Sequence, residues 1–209
     1  MKDEAQRPQI AEILSGTDFL RPGTVLAIGY EGVPGRPLSA FERMFVIIQG
    51  RPLRIRTYDD LVGKVRIDSE VAALRYTRLF TSPATVRALV KPRWLEVIPA
   101  SAVDEHFVFG RAEYRNRLRN VKGQGHYRAF GVLPDPEWSQ CGLPRPTVST
   151  TKAGFVVTRS LFSVDEDQSP QTDTVYQIAE TVSSDGQIHR RTLSKSKLRG
   201  VALVVWPEE

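Results

Sequence analysis

The sequence predicts an α+β protein: an N-terminal half of mixed character with a two-helix element at about 68–91, and a C-terminal half of mainly antiparallel strands. Three observations predict it. The clearest helical spacing of apolar residues lies between 68 and 90. The segments from Trp94 onward alternate or run apolar over strand lengths. Helical and strand patterns do not alternate regularly, as a doubly wound parallel fold requires. At 209 residues one domain is expected, and a division into 1–100 and 105–209 would fall in the stretch 99–104.

Taken in order, residues 3–14 predict a short helix with Ala5, Ile10, Ile13 and Leu14 facing inward and Gly16 as its stop. Pro8 sits early, where a helix tolerates it, or marks the true start. Thr24–Tyr30 is a short apolar run and a buried strand. Residues 31–39, with two glycines and two prolines, are a loop by composition. Met44–Gln49 and Leu53–Tyr58 pair as a hairpin around Gly50-Arg51-Pro52. The second strand alternates, with Leu53, Ile55 and Thr57 on one face and Arg54, Arg56 and Tyr58 on the other. Asp59-Asp60 opens and caps a turn into Leu61-Val62-Gly63.

The clearest helix follows. Asp68 caps it, Glu70 suits its first turn, and Arg75 and Arg78 suit its last. Ala72, Ala73, Tyr76, Leu79 and Phe80 make one core-facing stripe. Ser82-Pro83 restarts a second helix with Val86, Leu89 and Val90 on its apolar side, ended by Pro92. Strands are expected at Trp94–Ile98, His106–Phe109, Arg128–Leu133 and Gly154–Phe162. Thr174–Val182 and Gln187–Leu193 flank Ser183-Ser184-Asp185-Gly186, whose Asp-Gly step suits a hairpin turn. Val201–Trp206 reads as an apolar strand interior to a sheet. Pro134–Pro146 holds four prolines with Trp138 and Cys141 and reads as a loop, and Asp165–Asp173 as an acidic, polar connection.

Apolar content of 41% and charged content of 25% are those of an ordinary globular chain. One cysteine, Cys141, excludes an intramolecular disulfide framework and fits a reducing compartment. MKDEAQRPQIAEIL lacks the apolar core of a signal peptide, and no apolar run approaches the roughly 18 residues of a membrane span. A soluble, cytoplasmic protein is expected, with no membrane partner.

Charge is the most informative feature. Arg111–Arg128 carries Arg111, Arg115, Arg117, Arg119, Lys122 and Arg128 against the single acid Glu113, a net charge equal to the +5 of the whole chain. As a helix it gathers Arg111, Arg115, Arg119 and Lys122 on one side and Tyr114, Leu118 and Val121 on the other. As a strand it would put Arg115, Arg117 and Arg119 on one face. The helix is the expectation because it gives the apolar residues a common side. A second run, His189–Arg199, adds Arg190, Arg191, Lys195, Lys197 and Arg199 without an acid. Such runs suit phosphate contacts, with Tyr114 and Tyr127 available to stack on bases. The bland alternative for Arg111–Arg128 is a solvated helix face whose arginines pair with the acids of Asp165–Asp185.

Other chemistry leaves fainter traces. Cys141 with His126 or His106 as base and Asp135 or Glu137 as orienter is a weak nucleophile pattern. Gly123-Gln124-Gly125 lacks the flanking features of a nucleotide loop and reads as a turn. His106, His126 and His189 show no zinc-ligand spacing, and in Asp104-Glu105-His106 neighbouring side chains of a strand point to opposite faces. Neither metal nor cofactor is expected. The leading expectation is a non-enzymatic binding module for nucleic acid or another polyanion. The alternative is an interaction or assembly subunit that meets an acidic protein, and the third a hydrolase whose site leaves no linear motif.

Overall fold

The computed structural model describes residues 8–14, 17–30, 42–81, 94–102, 132–133, 135–163, 171–172, 174–198 and 203–204. The expected second helix after Ser82, the strand His106–Phe109, residues 128–131 and the loop 31–39 lie outside the described residues. The architecture is α+β, with a C-terminal half that is mainly β.

Four strands form the first sheet in sequence order: β1 (Gln9–Ile13), β2 (Thr24–Tyr30), β3 (Glu42–Ile48) and β4 (Arg51–Ile55), all antiparallel. Thus Gln9–Ile13 is a strand where the sequence predicts helix. Pairing explains the difference. A few apolar residues give a short helix little to bury, whereas an edge strand satisfies its backbone groups on β2. Gly29 makes that pairing close, since a Cβ there would lie 2.6 Å from the Gln9 carbonyl oxygen. The β3–β4 turn is Gln49-Gly50, both at positive φ (49° and 73°), as a tight two-residue hairpin turn requires. Arg51 and Pro52 therefore belong to β4. The strand also stops at Ile55, and Tyr58–Leu61 forms a single 3-10 turn. Asp60 Oδ2 accepts from the amides of Arg56 at 2.7 Å and Thr57 at 3.0 Å, so the expected capping role holds.

Helix α1 (Glu70–Arg78) begins one residue later than expected. Ser69 is its cap, with Oγ accepting from the Ala72 amide at 3.1 Å. Ala72, Ala73, Tyr76 and Leu79 are buried as the stripe predicts. Tyr76 donates to the Gly186 carbonyl at 2.8 Å and meets Phe19 and Tyr58 edge-on, with centroids 5.4 and 5.2 Å away. Burial pushes the Tyr76 hydroxyl well above the ordinary tyrosine range.

The second sheet contains β5 (Trp94–Glu96), β8 (Thr147–Thr151), β9 (Gly154–Ser163), β11 (Thr174–Val182) and β12 (Ile188–Lys197), in the order β12-β11-β9-β5, with β8 also on β9. β5 and β8 share one edge of β9, meeting residues 161–163 and 154–158 respectively. Two short ladders complete the described strands: β6 (Ile98–Pro99) runs parallel to β7 (Val132–Leu133), and β10 (Gln171–Thr172) antiparallel to β13 (Leu203–Val204). Of the apolar run Val201–Trp206, the described part pairs only in that last two-stranded ladder.

The stretch expected to be a loop contains α2 (Asp135–Cys141). Asp135 and Glu137 lie in its first turn, where acids oppose the helix dipole and Pro136 loses no needed bond. Trp138 is buried beneath it. The Ser101 amide and Oγ both donate to Asp135 Oδ1, at 3.1 and 2.6 Å.

The second sheet separates two cores. On one face, Val157 and Val182 pack with α1 and with Leu26, Ile28 and Met44 of the first sheet. On the other, Phe162 and Val175 pack with Leu95, Leu133 and Trp138. Among the described residues, no helix is long and apolar enough to cross a membrane.

Candidate anion-binding face

Alternation decides which side chains of β5, β9, β11 and β12 share the face toward α1. Register places Glu96, Leu161, Tyr176 and Lys195 in one row, Arg159, Ile178 and Thr192 in the next, and Val157, Glu180 and Arg190 in a third. Under the C-terminal end of α1 this face is charged where a core would be apolar. Arg159, Glu96 and Glu180 are fully buried. Arg159 Nη1 lies 3.0 Å from Glu96 Oε2, and its Nε donates to Glu180 Oε2 at 2.7 Å. Its remaining donors reach Thr81 Oγ1 and the Thr77 carbonyl, both at 2.6 Å. Thr77 O is a carbonyl of the last helical turn, so the guanidinium also answers the negative end of α1. Burial opposes its charge, but Glu180 and Glu96 outweigh that and hold Arg159 above even the usual arginine range. Arg78, at the end of α1, adds a 3.2 Å contact to Glu96.

Tyr58 closes one side of this cluster. Its hydroxyl donates to the Thr77 carbonyl and accepts from the Phe80 amide at 3.4 Å. Burial of the hydroxyl, with Glu180 adding to it, pushes Tyr58 up to about 12. The phenol is therefore neutral and a donor throughout the physiological range.

Glu180 carries the cluster outward. Its Oε2 serves Arg159, while its Oε1 accepts from Arg190 Nε at 3.0 Å and Nη2 at 2.6 Å. Arg190 retains 25% of its side-chain exposure, and its guanidinium sits 5.5 Å from the Trp94 ring centroid. Trp94 meets Tyr176 edge-on at 5.2 Å, and Lys195 Nζ lies 5.3 Å from the Tyr176 ring. Arginine, tryptophan, tyrosine and lysine thus follow one another across three strands. Arg190 and Lys195 are five residues apart, which regular alternation would put on opposite faces. A β-bulge leaves Leu193 unpaired between Thr192 and Ser194, bringing Arg190, Lys195 and Lys197 to one face.

Of the sequence-predicted contacts, Arg190 is on this face and tied to Glu180. Arg191 pairs in register with Ala179 on the opposite face, so the two neighbours do not act together. Arg191 and Lys195 are exposed and, among the described residues, meet no carboxylate. Arg111, Arg115, Arg117, Arg119, Lys122, Arg128, Tyr114 and Tyr127 lie outside the described residues. Trp94 and Tyr176 were not singled out. The signal that could have found Tyr176 is alternation within TVYQIAETV, which puts it on the same face as Glu180, but nothing linear pairs Trp94 with either.

The remaining candidates gather no chemistry. Cys141 ends α2, half-buried, and burial followed by the Glu137 carboxylate pushes its thiol up, away from the thiolate. Asp135 is engaged by Ser101, and His106 and His126 lie outside the described residues. Among the described residues, no three of His, Cys, Asp or Glu form a group that could hold a metal ion. Comparison with protein-family models, curated proteins and solved structures finds no match to the chain.

Proposed function

We propose that the chain is a non-enzymatic binding module for nucleic acid or another polyanion, with β12 supplying part of the contact. The observation that carries this is the strand itself. Its ten residues include no acid, and Arg190, Lys195 and Lys197 are aligned on one face by the bulge. Both lysines are exposed, as phosphate contacts require. The concentrated charge of Arg111–Arg128 supports the same reading from sequence.

An extended protein partner adding to the edge of β12 is disfavoured by the same features. Lysines and bulges on an edge strand are the devices that discourage strand addition. The reading is tested by measuring affinity for a labelled oligonucleotide against salt. Lys195→Ala should weaken binding and flatten the log–log slope by about 0.7, the value of one single-strand phosphate contact. No binding at low salt, or an unchanged slope, would overturn it.

A further inference from the structure

We infer that this face takes single-stranded nucleic acid, with a base stacked on Tyr176 and phosphate held by Lys195 and Arg190; the inference rests on the function proposed above. The two cations are held differently. Arg190 is fixed, because two of its nitrogens bond a buried carboxylate that is itself locked by Arg159. Its guanidinium lies over Trp94, 5.5 Å from the ring centroid. Lys195 is exposed, and its ammonium lies 5.3 Å from the Tyr176 ring centroid.

Magnitudes favour exchange at that ring. An exposed cation–π contact shifts an equilibrium by about two- to fivefold, whereas a base stacked on an aromatic ring contributes about five- to 150-fold. A base can therefore displace the lysine, which loses little and gains a phosphate. Trp94, edge-on to Tyr176 at 89°, buttresses the ring upright. Duplexes cannot use the ring, since their bases are already stacked and paired.

The experiment compares a dT 12-mer, a U 12-mer, a duplex of the same length and inorganic polyphosphate by competition anisotropy. Tyr176→Leu preserves apolar bulk without an aromatic face, and Tyr176→Phe preserves the face without the hydroxyl. Tyr176→Leu should weaken one or both single strands about five- to 150-fold, Tyr176→Phe less than threefold, and neither should change polyphosphate binding more than about twofold. The stronger of the dT and U responses identifies DNA or RNA. Equal loss for polyphosphate and oligonucleotide, or a duplex bound as tightly as the single strand, would overturn stacking and leave the polyanion reading standing. Failure of every polyanion to bind would remove both. Matching thermal melts of the variants confirm that the fold is intact.

Discussion

At the residue scale, Arg159 is the cation at the centre of the buried cluster. Two buried carboxylates, a threonine hydroxyl and a helix carbonyl all depend on its guanidinium. Whether such a cluster stabilises relative to an apolar core is a separate matter, because desolvation offsets most of the attraction. Breaking it is not balanced in that way. Arg159→Met would fill the space but take a buried cation from two buried carboxylates, leaving Glu96 with Arg78 and Glu180 with Arg190. A loss of about 3–5 kcal/mol is expected from urea unfolding. The exposed pair Arg66–Asp68, at 3.2 Å with side chains 71% and 57% exposed, provides the contrast. Its removal should change stability by less than about 1 kcal/mol. If the two variants lose similar amounts, the buried cluster is not the structural centre described above.

At the scale of elements, β1 shows how pairing overrides pattern. Its residues are neither strongly helical nor strongly β, so an available sheet edge decides their conformation. Gly29 is what makes the edge approachable. Gly29→Ala would place a Cβ against backbone of β1, which cannot swing aside as a flexible side chain would. The expected cost is about 1–3 kcal/mol, the usual range for overpacking. Hydrogen exchange should show faster exchange at the amides of residues 10–14 while α1 keeps its protection. Uniform loss across both would mean that β1 is cooperative with the core. The elements legible in the sequence were those with two agreeing signals. Thr174–Val182 combined alternation with an Asp-Gly turn, and α1 combined an apolar stripe with a cap. The α2 helix was obscured by four prolines, of which only Pro136 falls within it, in the first turn where it is harmless, and β1 by a spacing that suited helix equally well.

At the scale of the whole molecule, the candidate face was partly legible. The basic run in β12 could be read directly, and Glu180 was visible as an acid, though as a partner for the arginines of Arg111–Arg128 and not for Arg190. The arrangement of Arg190, Trp94, Tyr176 and Lys195 could not, because it needs the pairing of β5, β9, β11 and β12 and a bulge that breaks alternation. Tyr58 links the same arrangement to global stability, since it follows the first sheet, bonds the end of α1 and feels the charges of the second sheet. Its pKa of about 12 in the folded protein, raised mainly by burial, exceeds the ordinary value of 10.0. Between those values the folded state binds more protons than the unfolded state, so this contribution is complete below pH 10 and disappears as pH rises through 12. Tyr58→Phe removes the titrating group along with its bond to Thr77. The variant should be less stable at neutral pH, and its stability should fall less steeply than that of the natural chain above pH 10. Urea melts at intervals from pH 8 to 11.5 measure the difference, and titration of the lysines and of tyrosines remote from Tyr58 cancels between the two proteins. Parallel declines would show that Tyr58 is not held neutral by the fold, and converging ones that its proton belongs to the folded state.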